Sequence, residues 1–203
     1  MPLEISMQSL GMLKTIVWDV DDVLNDLMGS WFLLWCEDHP GCAVAYEDLK
    51  ENPPHEVLGV TMDSYLQSLD EFRLSSLYQS LAPIREVRDW FVQNGTRFRH
   101  IALTAVPLRA ASLSSQWVLR NFGIWIRTFQ FVPSKRKEDP IPQYDRDKTD
   151  VLQRLGIVDL FIDDNAEYVT AAQNAGINAL LFPRPWNHGG MSITETLARL
   201  QTY

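Results

Sequence analysis

The chain has 203 residues, 46% of them hydrophobic and 22% charged. At ~150 residues per domain this is one domain, or one domain carrying a large insertion. It is enough chain to bury a core without disulfide or metal staples. Lys and Arg number 18 against 26 Asp and Glu, a formal net charge of −8. That balance argues against a duplex nucleic-acid binder, which needs a basic face. No apolar run is long enough to span a membrane. Cys36 and Cys42 form no zinc-ligand pattern and read as free thiols of a reducing cytosol, although two Cys can in principle pair. The first twelve residues carry Glu4 and no basic cluster, unlike a signal or transit peptide. A cytoplasmic protein is the expectation.

Thr15, Ile16, Val17 and Trp18 form a compact apolar run that ends in acids, and Lys14 to Val20 reads as a buried strand. Leu27 to Cys36 is apolar and aromatic and reads as a helix that buries most of its faces. Pro40-Gly41 and Pro53-Pro54 interrupt the chain. Met62 to Leu81 reads as one helix, and Pro83 stands where the next can begin, with Val87, Trp90 and Phe91 at helical spacing. After Asn94-Gly95 the pattern changes. Phe98 to Thr104 is a predicted strand, Ala110 to Phe122 a helix stopped by Gly123, and Thr128 to Val132 a short strand. A polar loop runs from Ser134 to Asp147. Then follow a helix over Lys148 to Leu155, a strand over Val158 to Ile162, a helix over Ala166 to Asn174 and a strand over Ile177 to Phe182. Strand and helix alternate, which predicts an α/β fold with a parallel sheet and crossover helices. The expected core is residues 13–26 and 94–203. Residues 27–93 break the alternation, being helical throughout, and read as an insertion.

In open parallel sheets ligands bind beyond the carboxyl ends of the strands. Asp19, Asp21 and Asp22 follow the first strand, Thr104 ends the second, Asp163 and Asp164 follow the fourth, and Lys148 opens a helix one element earlier. At an effective dielectric of ~20, two carboxylates 4 Å apart repel by about 4 kcal/mol. A divalent cation and a lysine would offset such a cluster, and hard oxygen ligands with room for water and phosphate suit Mg²⁺. One carboxylate can attack phosphorus and a second can move the leaving-group proton, while a hydroxyl and an ammonium suit the other phosphoryl oxygens. Taken singly, Asp21-Asp22 could be turn formers, Asp163-Asp164-Asn165 could include a helix cap, and Thr104 or Lys148 alone says little. The ordered set carries the signal.

V-W-D-V-D-D-V-L (Val17–Leu24), I-A-L-T-A (Ile101–Ala105), Lys148 and L-F-I-D-D-N (Leu160–Asn165) resemble the four motifs of the haloacid dehalogenase (HAD) superfamily. The resemblance covers nearly the whole chain. Three further stretches, L-A-P-I-R-E-V (Leu81–Val87), R-D-K-T (Arg146–Thr149) and F-P-R-P-W-N (Phe182–Asn187), are similar to the 5′(3′)-deoxyribonucleotidase group. The resemblance implies a Rossmann-like core with a helical cap inserted after the first motif. It implies Asp19 as nucleophile and Asp21 as general acid/base, with Thr104, Ala105 and Lys148 binding the phosphoryl group. It implies Mg²⁺ held by the Asp19 carboxylate, the Asp21 backbone carbonyl and the Asp163-Asp164 pair, with Asp164 the direct ligand and Asp163 behind it. Asp22 departs from the pattern, because the family commonly has Gly there. Lys135 and Lys137 are rivals to Lys148.

The expected reaction is Mg²⁺-dependent hydrolysis of a small phosphorylated substrate through an aspartyl-phosphate, with a nucleoside monophosphate first and a sugar phosphate as the alternative. A phospho-accepting receiver domain is disfavoured by the helical insertion and by the acid two residues beyond Asp19. A HAD-fold binding protein without turnover is the remaining reading. Substrate choice would lie in the insertion, whose aromatic residues either stack on a base or form its core. Phe32 and Trp35 are the first to examine. The oligomeric state is open, with a homodimer one expectation.

Overall fold

The computed structural model describes residues 13–134, 136, 142–187 and 190–202, so the first twelve residues, Lys135, Lys137 and His188 lie outside the described residues. In chain order the elements are β1 (Thr15–Trp18), α1 (Leu27–Asp38), α2 (Met62–Leu74), α3 (Ser76–Ser80), α4 (Arg85–Asn94), β2 (Arg99–Val106), α5 (Leu108–Phe122), β3 (Ile126–Pro133), α6 (Lys148–Leu155), β4 (Leu160–Asp163), α7 (Ala166–Asn174), β5 (Ala179–Leu181) and α8 (Ile193–Arg199). The strands form one parallel sheet in the order β3-β2-β1-β4-β5. This is the α/β fold that the alternating pattern predicts. Among the described residues no helix is long and apolar enough to cross a membrane.

Alternation along the strands loads both faces of the sheet. Ile16, Trp18, Ala102, Leu160 and Ile162 face one side, where residues of α1, α2, α4, α5 and α8 cover them. Val17, Ile101, Leu103 and Phe161 face the other, under Val151 and Leu152 of α6 and Val169 and Ala172 of α7. The sheet is thus buried on both sides, which is why its strands read as nearly continuous apolar runs. Phe91 of α4 lies 4.9 Å from Trp18, ring centroid to centroid, and Trp90 lies 5.4 Å from it. The two ends of the 27–93 stretch are held side by side, because Ile84 donates its N–H to the Leu24 carbonyl at 2.9 Å.

Three local features differ from the expectation. The helix read over Met62 to Leu81 breaks at Ser75, which sits in an extended conformation (φ −81°, ψ 163°) between α2 and α3. Its hydroxyl donates to the Phe72 carbonyl at 2.7 Å and accepts from the Tyr78 N–H, a local alternative to helix bonding that serine offers. Helix α4 starts at Arg85 with Ile84 as its cap residue, so Pro83 lies just ahead of it. Helix α8 was not expected. Its Ser192-x-x-Glu195 capping box is a readable start signal.

His100 is buried on β2. Trp18 donates its indole N–H to His100 Nδ1 at 3.0 Å, and His100 Nε2 lies 2.9 Å from the Gly95 carbonyl. Burial pushes its pKa down to about 4. The neutral ring is therefore the folded form, and stability from this site is whole above the unfolded value of about 6.5 and lost as pH falls towards 4. His100→Asn keeps an acceptor for Trp18 without the titration. In denaturant unfolding, the wild type is expected to lose stability relative to this variant between pH 7.5 and pH 5.

Candidate active site

From β1 the chain winds to one edge of the sheet through β2 and β3, then crosses over and continues through β4 to β5. The reversal falls between β1 and β4, where open α/β sheets leave a crevice at the carboxyl ends of the strands. Asp19 follows β1 directly and donates its N–H to the Ile162 carbonyl at 2.9 Å. That ladder bond sets it beside Asp163 and Asp164. Lys148, first residue of α6, reaches across from the far side. Its Nζ lies 2.8 Å from Asp19 Oδ1 and 2.6 Å from Asp163 Oδ2. The Asp147 carboxylate caps α6 by accepting from the Thr149 and Asp150 N–H groups, which fixes where Lys148 begins.

Both oxygens of Asp163 carry a donor. Besides Lys148 on Oδ2, its Oδ1 accepts the Asn165 N–H at 2.8 Å. Asp164 accepts the Trp186 indole N–H on Oδ2 at 2.8 Å. Asn165 accepts from the Glu167 and Tyr168 N–H groups. So the cap of α7 is Asn165, and capping explains neither acid. Carboxylate oxygens of Asp19, Asp163 and Asp164 lie within 4.8 Å of one another, all buried, a set able to hold a metal ion.

Asp22 adopts a left-handed backbone (φ 63°), a conformation open to Gly and tolerated by Asp. Gly, common at this position in the resembled family, would adopt this conformation without strain. The Asp22 carboxylate accepts the Met28 N–H of α1 at 2.9 Å. Burial pushes its pKa well up, against the pull of Arg184. Arg184 itself donates to the carbonyls of Asp22 and Asn25 and to the Asp26 carboxylate. The loop after β5 thus ties down the loop after β1 and, through Trp186, reaches Asp164.

Asp21 turns towards the 27–93 stretch. Its Oδ1 accepts the Tyr78 hydroxyl at 2.9 Å and Asn25 Nδ2 at 3.2 Å, and its Oδ2 accepts Arg73 Nε at 3.1 Å. Asp19, Asp21, Thr104, Ala105, Lys148, Asp163 and Asp164 all line one cavity of about 260 Å³, whose other wall includes Asn52, Tyr65, Leu69, Arg73 and Arg136. The structure therefore brings all seven sequence-predicted site residues together. Sequence reasoning missed Arg73 and Arg136, counted Tyr78 only among the aromatics of the insertion, and gave Trp186 little weight. A lone Arg or Tyr on a helix carries no local signal of what it reaches. Phe32 and Trp35 are buried among the core aromatics and are absent from the cavity wall.

Burial pushes the Asp19 carboxyl up to about 7, with Lys148 opposing and Asp163 adding to the rise. Burial raises Asp163 to about 6 and Asp164 to about 7, the latter helped by Asp19. Burial also works against the Lys148 ammonium, but Asp163 and Asp19 overcome it and hold its pKa above the ordinary lysine value. One lysine shared by three close carboxylates leaves negative charge uncompensated, and a divalent cation among their oxygens is the group that offsets it. Lys148→Met strands two buried carboxylates. In metal-free buffer at pH 8 it is expected to cost about 3–5 kcal/mol in denaturant unfolding. The cost should shrink at pH 5, where the raised Asp19 and Asp163 carboxyls take up protons.

No protein-family model matches the chain, and no curated protein does. Solved structures do. A hydrolase from Streptococcus pneumoniae TIGR4 superposes with a TM-score of 0.58 at 16% identity, covering 93% of this chain and 98% of its own. A structure from Thermotoga maritima described as a beta-phosphoglucomutase gives 0.54 at 18% identity, covering 94% and 99%. A HAD hydrolase from Bacillus subtilis, bound to magnesium, gives 0.56 at 16% identity, covering 94% and 97%. At these identities the likeness is one of fold, and the fold is that of the Rossmann-like HAD hydrolases.

Proposed function

We propose that the protein is a metal-dependent phosphomonoester hydrolase that works through an aspartyl-phosphate on Asp19. The observation that carries this reading is the placement of Asp19. Its Oδ1 lies 2.8 Å from the Lys148 ammonium. It belongs to a buried triad of carboxylates, and it shares its cavity with Asp21 and Thr104.

An Asp19 carboxylate oxygen attacks phosphorus, the P–O ester bond breaks, and Asp21 gives its proton to the departing oxygen. A water molecule then returns a proton to Asp21 as it attacks phosphorus, releasing phosphate and the Asp19 carboxylate. Lys148 and Thr104 bind the oxygens that do not transfer, with Ala105 beside them. Among the described residues Asp164 takes a side-chain donor on Oδ2 alone, from Trp186, which leaves Oδ1 for a metal, while both oxygens of Asp163 already carry a donor, Lys148 on Oδ2 and Asn165 on Oδ1. This supports Asp164 as direct ligand and Asp163 as its support, with the Asp19 carboxylate and Asp21 backbone carbonyl completing the protein's share. Mg²⁺, when bound there, neutralises charge on the phosphoryl oxygens. The helical stretch 27–93 serves as the cap that covers the cavity.

The substrate is a small phosphomonoester. A nucleoside monophosphate is the first reading, on the three stretches similar to the deoxyribonucleotidases. A sugar phosphate is the second, and two observations favour it. Phe32 and Trp35, the aromatics singled out for a base contact, are packed in the core, and the cavity wall away from Lys148 carries Asn52, Arg73 and Arg136 beside Tyr65.

Phosphate release across nucleoside monophosphates, deoxynucleotides and sugar phosphates tests both. Turnover is expected to require Mg²⁺, to stop with EDTA and to vanish in Asp19→Asn. A folded Asp19→Asn protein that releases phosphate at the wild-type rate refutes the mechanism. Separately, Mg²⁺ is expected to raise the unfolding temperature of the wild type more at pH 8 than at pH 5, because protons on the raised carboxyls compete with it. The shift should be absent in Asp164→Asn.

A further inference from the structure

Asp21 is held by a chain of buried charges that starts in the core, passes through the helical stretch and returns. Asp70 of α2 is wholly buried. It accepts Arg136 Nε at 2.7 Å and Nη2 at 2.8 Å, and Arg109 Nη2 at 3.0 Å. Burial works to raise its pKa, but these arginines overcome it and hold the carboxyl below its ordinary value. Asp70 also accepts Arg73 Nη1 at 3.4 Å, one helical turn along α2. Arg73, itself buried, then gives its Nε to Asp21 Oδ2. Tyr78 comes from α3, and the break at Ser75 sets that helix off from α2. A carboxylate offers about four lone-pair positions. On Asp21, Tyr78 and Asn25 fill two on Oδ1 and Arg73 fills one on Oδ2. Among the described residues nothing fills the fourth, on Oδ2.

We propose that Arg73 and Tyr78 are positioning residues for the acid/base step. They clamp the Asp21 carboxylate so that its single open lone pair, on Oδ2, is the site where the leaving-group proton is held and transferred, and Asp70 anchors Arg73 for this task. The inference rests on the phosphatase reading above. It makes the helical stretch a participant in proton transfer, beyond covering the cavity.

Two esters separate this role from a structural one. Glycerol 2-phosphate leaves as an alkoxide and needs the proton from Asp21. p-Nitrophenyl phosphate leaves as a stable phenolate and does not. Hydrolysis of the phosphoenzyme still uses Asp21 for both esters, so the readout is kcat/KM, which ends at departure of the leaving group. With Mg²⁺ present, Tyr78→Phe, which removes no residue of the cavity wall, is expected to cut kcat/KM for glycerol 2-phosphate by about tenfold or more, and kcat/KM for p-nitrophenyl phosphate by less than about threefold. Arg73→Gln, at a residue that also lines the cavity, is expected to lose more on glycerol 2-phosphate than on p-nitrophenyl phosphate, and Arg73→Lys should recover part of that difference and serves if Arg73→Gln fails to fold. In the Asp21→Asn background, which has no proton to place, adding Tyr78→Phe should cost almost nothing further on glycerol 2-phosphate. Equal losses on both esters in folded variants, or no loss on either, overturn the positioning role and leave the phosphatase reading standing. If the wild type hydrolyses neither ester nor any substrate of the panel above, the phosphatase reading falls and this inference falls with it.

Discussion

The Lys148 ammonium, 2% exposed and wedged between Asp19 and Asp163, is the contact on which the rest of the site depends. Without it, two strands would bring buried carboxylates to adjacent positions with nothing to offset their repulsion. With it, the carboxyl ends of β1 and β4 and the start of α6 are tied at one point. The tie also leaves charge over. Three acids share one cation, their carboxyls are raised by burial, and their oxygens lie close enough together to hold a metal ion. A stability argument alone would not favour such an arrangement, since buried charge is expensive to desolvate.

A second ion-pair network, centred on the buried Asp70, faces the first across the cavity. Arg109, Arg136 and Arg73 converge on Asp70, and Arg73 reaches on to Asp21. The two networks differ in kind. Around Lys148 the acids outnumber the cation. Around Asp70 the cations outnumber the acid. A ligand in the cavity between them would meet carboxylates and an ammonium on one side, and an arginine-bearing wall on the other. Asp21 belongs to both sides, since it follows β1 but takes its donors from α2 and α3.

Much of the scaffold was legible in the sequence, because burial of a parallel sheet on both faces leaves a strong apolar signature. Helix α7 spans the very residues read for it, and α6 starts at Lys148 as expected. What was misread is local hydrogen-bond competition. Ser75 splits one apparent helix in two, since its hydroxyl satisfies backbone groups that a continuous helix would have paired. Helix α8 went unread although its capping box was visible. The aromatics of the helical stretch were weighed as either core or stacking surface, and Phe32 and Trp35 turn out to be core.

The site divides along the same line. Asp19, Asp21, Thr104, Asp163 and Asp164 could be picked out because each lies at or just past a strand end, and a strand's direction fixes which end of the sheet its residues reach. The chain order of these acids, and the lysine ahead of the fourth strand, are properties of the sequence by itself. Which hydrogen bonds each carboxylate makes is not. Asp163 is turned to Lys148, Asp164 to Trp186, Asp22 to the start of α1 and Asp21 to Arg73 and Tyr78. The Asp21–Arg73 and Asp21–Tyr78 contacts span 52 and 57 residues. No periodicity encodes contacts of that range, because they depend on how the helical stretch packs against the sheet. The sequence determined which groups could do chemistry, and the tertiary structure alone decided their partners.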